Sequence, residues 1–313
     1  VSALRVRQPG LLSLLQDRGR RGRAALGLTT GGPVDPVAFN LCERLLQNPP
    51  GATQIEVSFG GLELEAQADT QLCVTGASLP LTINGRERGL WEVHAVGAGD
   101  IIHLGFSSSG CRSYLGVRGG FRIAPTFGST ATVVREGIGG LDGGRLKSGD
   151  CLPLVAVEPC ERLWLAPEHR PAYQHRATLR LIPGYQAERF PRLAQRRFFG
   201  SDYTVSDRCD RMGYRLLGPE VRAEIDGIVS EGIALGAVQF PADGQPIALL
   251  NDRQTIGGYP KLGCILSLDC ALLGQLRPGD EVTFTPISEH AAHNALHLAR
   301  AFEDARRLEP APA

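Results

Sequence analysis

Between Gly244 and Lys261 the chain reads Gly-Gln-Pro-Ile-Ala-Leu-Leu-Asn-Asp-Arg-Gln-Thr-Ile-Gly-Gly-Tyr-Pro-Lys. An apolar run, Ile247 to Leu250, breaks into Asn251, Asp252, Arg253, Gln254 and Thr255, followed at once by two glycines, Tyr259, Pro260 and Lys261. A small polar substrate gripped from several sides needs this mixture of acid, planar cation, amide, hydroxyl and ammonium. The glycine pair lets backbone approach a ligand more closely than side chains there would allow. Gln239, Gln245 and Gln254 each add a paired donor and acceptor, the complement of a planar amide or lactam.

Two further polar runs carry candidates. Asp207-Arg-Cys-Asp-Arg-Met-Gly-Tyr-Arg215 alternates acids with Arg208, Arg211 and Arg215. On a surface this is a salt-bridge ladder that stabilises by only about 0–1 kcal/mol per pair. Beside the Asp252 loop it becomes a cavity lined by arginines balanced by aspartates. In Gln16-Asp-Arg-Gly-Arg-Arg-Gly-Arg23, Asp17 sits where it can orient Arg18 or Arg20 toward a carboxylate or phosphate.

Two other patterns are bland. His290, His293 and His297 share a helix face, but no carboxylate or cysteine motif completes a metal set, and no metal is assigned. Gly-Ile-Gly-Gly-Leu-Asp-Gly-Gly, residues 137–144, lacks the lysine and following helix of a phosphate loop and reads as a tight turn.

The elements that must position these residues are mostly strands. With 39 glycines and 21 prolines, many short strands joined by tight turns are favoured over long helices. Residues 54–59 and 62–65 alternate polar and apolar, and Leu81-Thr-Ile runs into an Asn84-Gly85 hairpin turn. One early helix is signalled by an Asp35 cap, Pro36 and an apolar side of Val37, Ala38, Leu41 and Leu45, ending at Asn48-Pro49-Pro50. A second follows Ser288, with Ala291, Ala295, Leu298 and Phe302 on its expected packing face and a frayed tail from Arg306 onward.

A Gly-Asp turn feeding an apolar strand recurs at Gly99-Asp100, Gly149-Asp150 and Gly279-Asp280. Copies in both halves suggest two barrel-like domains, residues 1–165 and 177–313, with a seam between Pro159 and Ala177 where alternation is lost.

Composition excludes several partners. A formal net charge of +0 gives no basic excess for nucleic acid or an anionic membrane. No run approaches a membrane span, and Arg5, Arg7, Asp17 and Arg18 interrupt any leader-like stretch. The eight cysteines form no C-x-x-C, so reduced thiols and a cytoplasmic location are expected.

Taken together, these motifs resemble the biotin-dependent carboxyltransferase-like family, also called allophanate hydrolase subunit 2, which includes KipA-like proteins and the C component of bacterial 5-oxoprolinase. The resemblance runs from Gln16-Asp-Arg-Gly-Arg and Gly32-Pro-Val-Asp35 through Tyr114-Leu-Gly-Val-Arg-Gly-Gly120. It continues in Asp210-Arg-Met-Gly-Tyr-Arg215, Ser230-Glu-Gly232 and the whole stretch from Gln239 to Lys261. Tyr185 departs from the pattern, standing where the family often has proline.

The resemblance implies a mainly β protein of two cyclophilin-like β-barrel domains with a few short helices. It implies a heteromeric complex with a KipI-like B component and an A component, which together carry out ATP-dependent cleavage of 5-oxo-L-proline to L-glutamate. ATP, with Mg2+, would act at the level of that complex, and no biotin is expected on this chain. In fused relatives the same module is the carboxyltransferase part of urea carboxylase, so a urea or amide carboxyltransferase component is an alternative. A KipA-type regulator that binds a kinase inhibitor is another.

For lactam cleavage, phosphorylating the amide oxygen would create a leaving group, a step that needs cations and oriented donors. On that basis Arg211, Arg215 and Arg253 are expected as anion clamps, with Arg20 a further substrate contact. Gln239, Gln245 and Gln254 would read the amide, Tyr259 would wall the pocket, and Asp252 and Lys261 would join Arg253 in handling charge or proton transfer.

Overall fold

The structure, a computed structural model, describes residues 2–311. It is mainly β, the class expected, and divides into two compact units built around Thr30–Tyr173 and Gln174–Arg306. The units are not the two contiguous spans read from the sequence. Ala24–Thr29 belongs with the second, where Thr29 Oγ1 donates to the Arg253 carbonyl (3.1 Å). The C-terminal stretch from Arg307 belongs with the first, because Glu309–Pro310 pairs with Leu163–Trp164. The expected frayed tail is therefore, through Ala311, a paired edge.

The first unit holds two antiparallel sheets, one of six strands and one of five. Inward residues of both, among them Leu4, Val6, Leu64 and Ile102 from one and Ile55, Val57, Leu72 and Leu115 from the other, fill one apolar core. Helix Pro36–Leu45 packs Phe39 and Leu41 against Tyr114 of the five-stranded sheet. Asp35 caps it as expected, its Oδ1 accepting from the Val37 and Ala38 amides at 3.1 and 3.0 Å.

The recurring Gly-Asp unit is one geometry in three places. Gly99, Gly149 and Gly279 adopt φ of 91°, 93° and 92°, angles that favour glycine. The aspartate that follows each accepts from the amide three residues earlier, at 2.8 Å in every case (Asp100 from Gly97, Asp150 from Lys147, Asp280 from Arg277).

The second unit contains a closed seven-stranded barrel. Around it run Arg176–Pro183, Lys261–Ile265, Ala237–Gln239, Ile247–Leu249, Gly213–Leu217, Tyr203–Cys209 and Glu281–Pro286, the last pairing parallel with the first. Phe190, Phe198, Tyr203, Phe240 and Phe284 stack into an aromatic cluster, with Phe198 and Phe284 ring centroids 4.4 Å apart.

Helix Glu289–Ala305 differs from expectation. Its buried contact is Ala292, while Leu298 and Phe302 are 69% and 75% exposed. Apolar residue type pointed to one face, whereas the residue buried is the small Ala292.

Candidate functional site

One register row organises the site. Arg215 pairs with Ile247, Ile247 with Gln239, and Gln239 with Lys261 across four neighbouring barrel strands. Directly paired residues of antiparallel strands project to the same side, so these four share a face with Ala237, Leu249 and Cys264. A two-stranded ribbon, Glu231–Gly232 paired with Ile256–Gly257, goes with this face, and Ile233 beside it packs with Ala237 and Leu249. The polar loop after Ile247–Leu249 thus returns over the strand from which it came.

Gly257 is bare where the ribbon meets the barrel. A methyl group there would stand 2.5 Å from Ile233 Cδ1, 3.0 Å from Gln239 Nε2 and 3.6 Å from Gln254 Nε2. Two carboxamides therefore converge on the glycine. Gln239 is 1% exposed, and its Nε2 has no hydrogen-bond partner among the described residues. A buried polar group left in this state costs about 1–3 kcal/mol, and a ligand carbonyl or carboxylate would satisfy it.

Arg253 stands nearby. Its Nε donates to the Ile233 carbonyl and its Nη1 to the Leu250 carbonyl, both at 3.1 Å. Both acceptors are neutral. Burial lowers its pKa, with weaker opposing effects from Cys270, Cys264 and Asp252; a guanidinium nevertheless stays charged in neutral solution. Burial likewise pushes the neighbouring Cys264 thiol up, so it is no nucleophile here.

Lys261 is held by residues that sequence reasoning did not select. Its ammonium is paired with Glu231, which also accepts from Gln186 Nε2 (2.8 Å) and from the Tyr185 hydroxyl. Gln186 Oε1 accepts from the Lys261 amide at 2.9 Å, so one buried glutamine fixes both partners. Hydrogen bonding from Lys261, then from Tyr185, holds the Glu231 carboxyl below the usual carboxylate range. The signals were present: Ser230-Glu-Gly232 belonged to the motif set, and Tyr185 stood out as a departure.

Other expected contacts are committed elsewhere. Arg211 makes a bidentate pair with Asp252, Nε to Oδ2 and Nη2 to Oδ1, both 2.9 Å, and both residues are buried. The geometry thus makes them a pin that anchors the loop, in place of the expected anion clamp and proton carrier. Arg215 pairs with Asp243 at 2.5 Å on a more exposed edge of the row. Gln245 closes a turn on the Gly218 amide (2.9 Å) and carbonyl (3.0 Å), so both ends of its carboxamide are engaged within the fold, away from Gln239 and Gln254 in the contacts they make. Tyr259 is half exposed after the glycine pair.

Arg20, in the first unit, is 1% exposed and donates to the carbonyls of Thr126, Ser129 and Ala131. Asp17 binds Ser129 Oγ and the Thr130 amide rather than an arginine, and Arg18 pairs with Glu43 at 3.0 Å. These residues hold loops together.

Two features of the first unit compete for attention. A cavity of about 540 Å³ is lined by Gln71, Arg118 and Val155, yet Gln71 bonds the Cys160 backbone and Arg118 the carbonyls of Leu46, Gln47 and Glu158. The glycine loop 137–144 folds on itself: a methyl at Gly139 would meet the Ala131 carbonyl at 1.9 Å, and one at Gly143 the Gly137 carbonyl at 2.1 Å.

Residues 26–286 match the family of the carboxyltransferase domain, subdomains A and B, and the chain belongs to that family. Among its relatives, the C component of 5-oxoprolinase from Escherichia coli (strain K12) is 33% identical over 295 residues, covering 93% of this chain and 94% of that protein. Urea amidolyase of Saccharomyces cerevisiae is 28% identical over 315 residues, 94% of this chain but 17% of the relative. The structure of Kluyveromyces lactis urea amidolyase superposes with a TM-score of 0.92 at 25% identity, covering 100% of this chain and 20% of that one. The chain therefore spans under a quarter of these urea enzymes and nearly the whole of the 5-oxoprolinase component.

Proposed function

We propose that this chain is the C component of an ATP-dependent 5-oxoprolinase, working with a KipI-like B component and an A component to cleave 5-oxo-L-proline to L-glutamate. The observation that carries the reading is the buried, unpartnered Gln239 carboxamide. It lies beside Gln254 and near a guanidinium that has only neutral partners. A lactam bearing a carboxylate supplies an amide edge for the glutamines and an anion for Arg253. End-to-end similarity to the 5-oxoprolinase C component, against fractional coverage of the urea enzymes, supports this activity within the family.

In this reading Gln239 and Gln254 orient the lactam, Arg253 binds negative charge, and the Arg211–Asp252 pin keeps the Arg253 loop in place. ATP with Mg2+ is assigned to the complex as a whole, and no step is routed through a nucleotide on this chain. Co-expression with the two companion chains tests the proposal. ATP hydrolysis that depends on 5-oxo-L-proline and is lost when this chain is omitted is the expected result. Turnover that responds to urea and ignores 5-oxo-L-proline would replace the reading with the carboxyltransferase one.

A further inference from the structure

Lys147 and Lys261 are the only lysines among the 33 basic residues of the chain. Arginine, a rigid multi-donor fork, is the cation used elsewhere; lysine is a compact charge on a flexible stem that changes partners readily. Lys147 is an exposed surface residue paired with Asp142. Lys261 is different: its side chain is 11% exposed, and it sits in the register row directly beside Gln239. Its counter-ion, Glu231, lies on the covering ribbon opposite Gly257, the glycine on which the two carboxamides converge. Gln186 and the Tyr185 hydroxyl hold the Glu231 carboxylate in position.

We propose that Glu231 occupies Lys261 as a stand-in for a ligand carboxylate, which an entering lactam acid displaces, so that Lys261 reads the ligand carboxylate and Glu231, by competing for it, holds down the affinity for carboxylate-bearing lactams without affecting neutral amides. The inference rests on the reading of the site given above and adds to it a residue that competes with the ligand carboxylate for Lys261. A carboxylate arriving at Lys261 exchanges one ion pair for another, so the buried ammonium is never left without compensation. A neutral amide offers no such exchange: Lys261 stays with Glu231, and only the amide contacts contribute. Glu231 is a positioning residue in this scheme, since it acts on the ligand through Lys261. Tyr185 and Gln186 define where the released carboxylate stays.

The chain's two lysines make the test direct. Lysine labelled with 13C at Cε gives two side-chain signals, assigned with Lys261→Arg. In the full chain Glu231→Gln is expected to move the Lys261 signal and leave that of Lys147 in place. The same variant should bind 5-oxo-L-proline roughly tenfold more tightly, while its affinity for 2-pyrrolidinone, the lactam without the carboxylate, stays within about twofold. On wild-type protein, 5-oxo-L-proline should shift the Lys261 signal and 2-pyrrolidinone should not. A Lys261 signal unmoved by Glu231→Gln, or equal changes in affinity for the two lactams, would overturn the exchange and leave the site reading intact. Binding of neither lactam to wild-type protein would remove the site reading, and the exchange with it.

Discussion

Replacing Gln239 with methionine should make the protein more stable and less active. The side chains match in length, and Gln239 sits among Ala237, Ile247, Leu249 and Ile233, so the thioether finds apolar neighbours. What disappears is a buried amide group with no partner in the folded protein. Its desolvation costs about 2 kcal/mol, which for a unit of this size corresponds to a rise in melting temperature of about 6 °C. Both tryptophans, Trp91 and Trp164, lie in the first unit, so their fluorescence does not follow the barrel. Calorimetry, with amide exchange along Ala237–Gln239, does. In the assembled complex kcat/KM for 5-oxo-L-proline should fall at least about tenfold as a hydrogen bond to ligand is lost. A variant that melts at or below the wild-type temperature would show that Gln239 is satisfied by the fold. A variant that melts higher yet keeps full turnover would show that its amide is not used by substrate. Either result refutes the reasoning.

Three other outcomes are expected. Arg253→Ala should lower kcat/KM by about 2–3 kcal/mol, with Arg253→Lys intermediate; unchanged kinetics in a folded complex would remove Arg253 from the site. Asp252→Asn should destabilise the barrel unit by about 3 kcal/mol by leaving the Arg211 guanidinium buried without its anion; a loss under about 1 kcal/mol in calorimetric unfolding would mean the pair is not a pin. Glu231 has a folded pKa below its unfolded value, so its contribution to stability is full above the unfolded carboxylate value and is lost as pH falls through the folded one. The gap in stability between wild type and Glu231→Gln should therefore shrink on acidification, and a constant gap across that range would contradict the pairing.

The sequence made visible what depends on local pattern. Asp35 caps its helix, Asn84-Gly85 turns its hairpin, and the three Gly-Asp units share one geometry because each rests on residues a few positions apart. The mainly β class followed from glycine and proline content, and the loop 251–258 stood out by its mixture of residue types. Charge pairing was not visible. Arg211 and Asp252 are 41 residues apart, Gln186 and Lys261 75 apart, so only the closed barrel decides which arginine is neutralised and which is left for a ligand. Nor does composition distinguish Gln245, which closes a turn, from Gln239, which faces the ribbon: both are glutamines near strand ends, and register alone separates them. The terminal helix differs from expectation for a related reason. Leu298 and Phe302 carry more apolar surface than Ala292, yet Ala292 is the residue buried, a choice made by tertiary contacts that residue type does not encode.

The most direct measurement is a crystal structure of the chain soaked with 5-oxo-L-proline. The lactam should lie against Gly257, with its amide edge about 3 Å from the carboxamides of Gln239 and Gln254 and its carboxylate toward Arg253 and Lys261. Density for the ligand anywhere else, with the Gln239 amide still unpaired, would contradict the account.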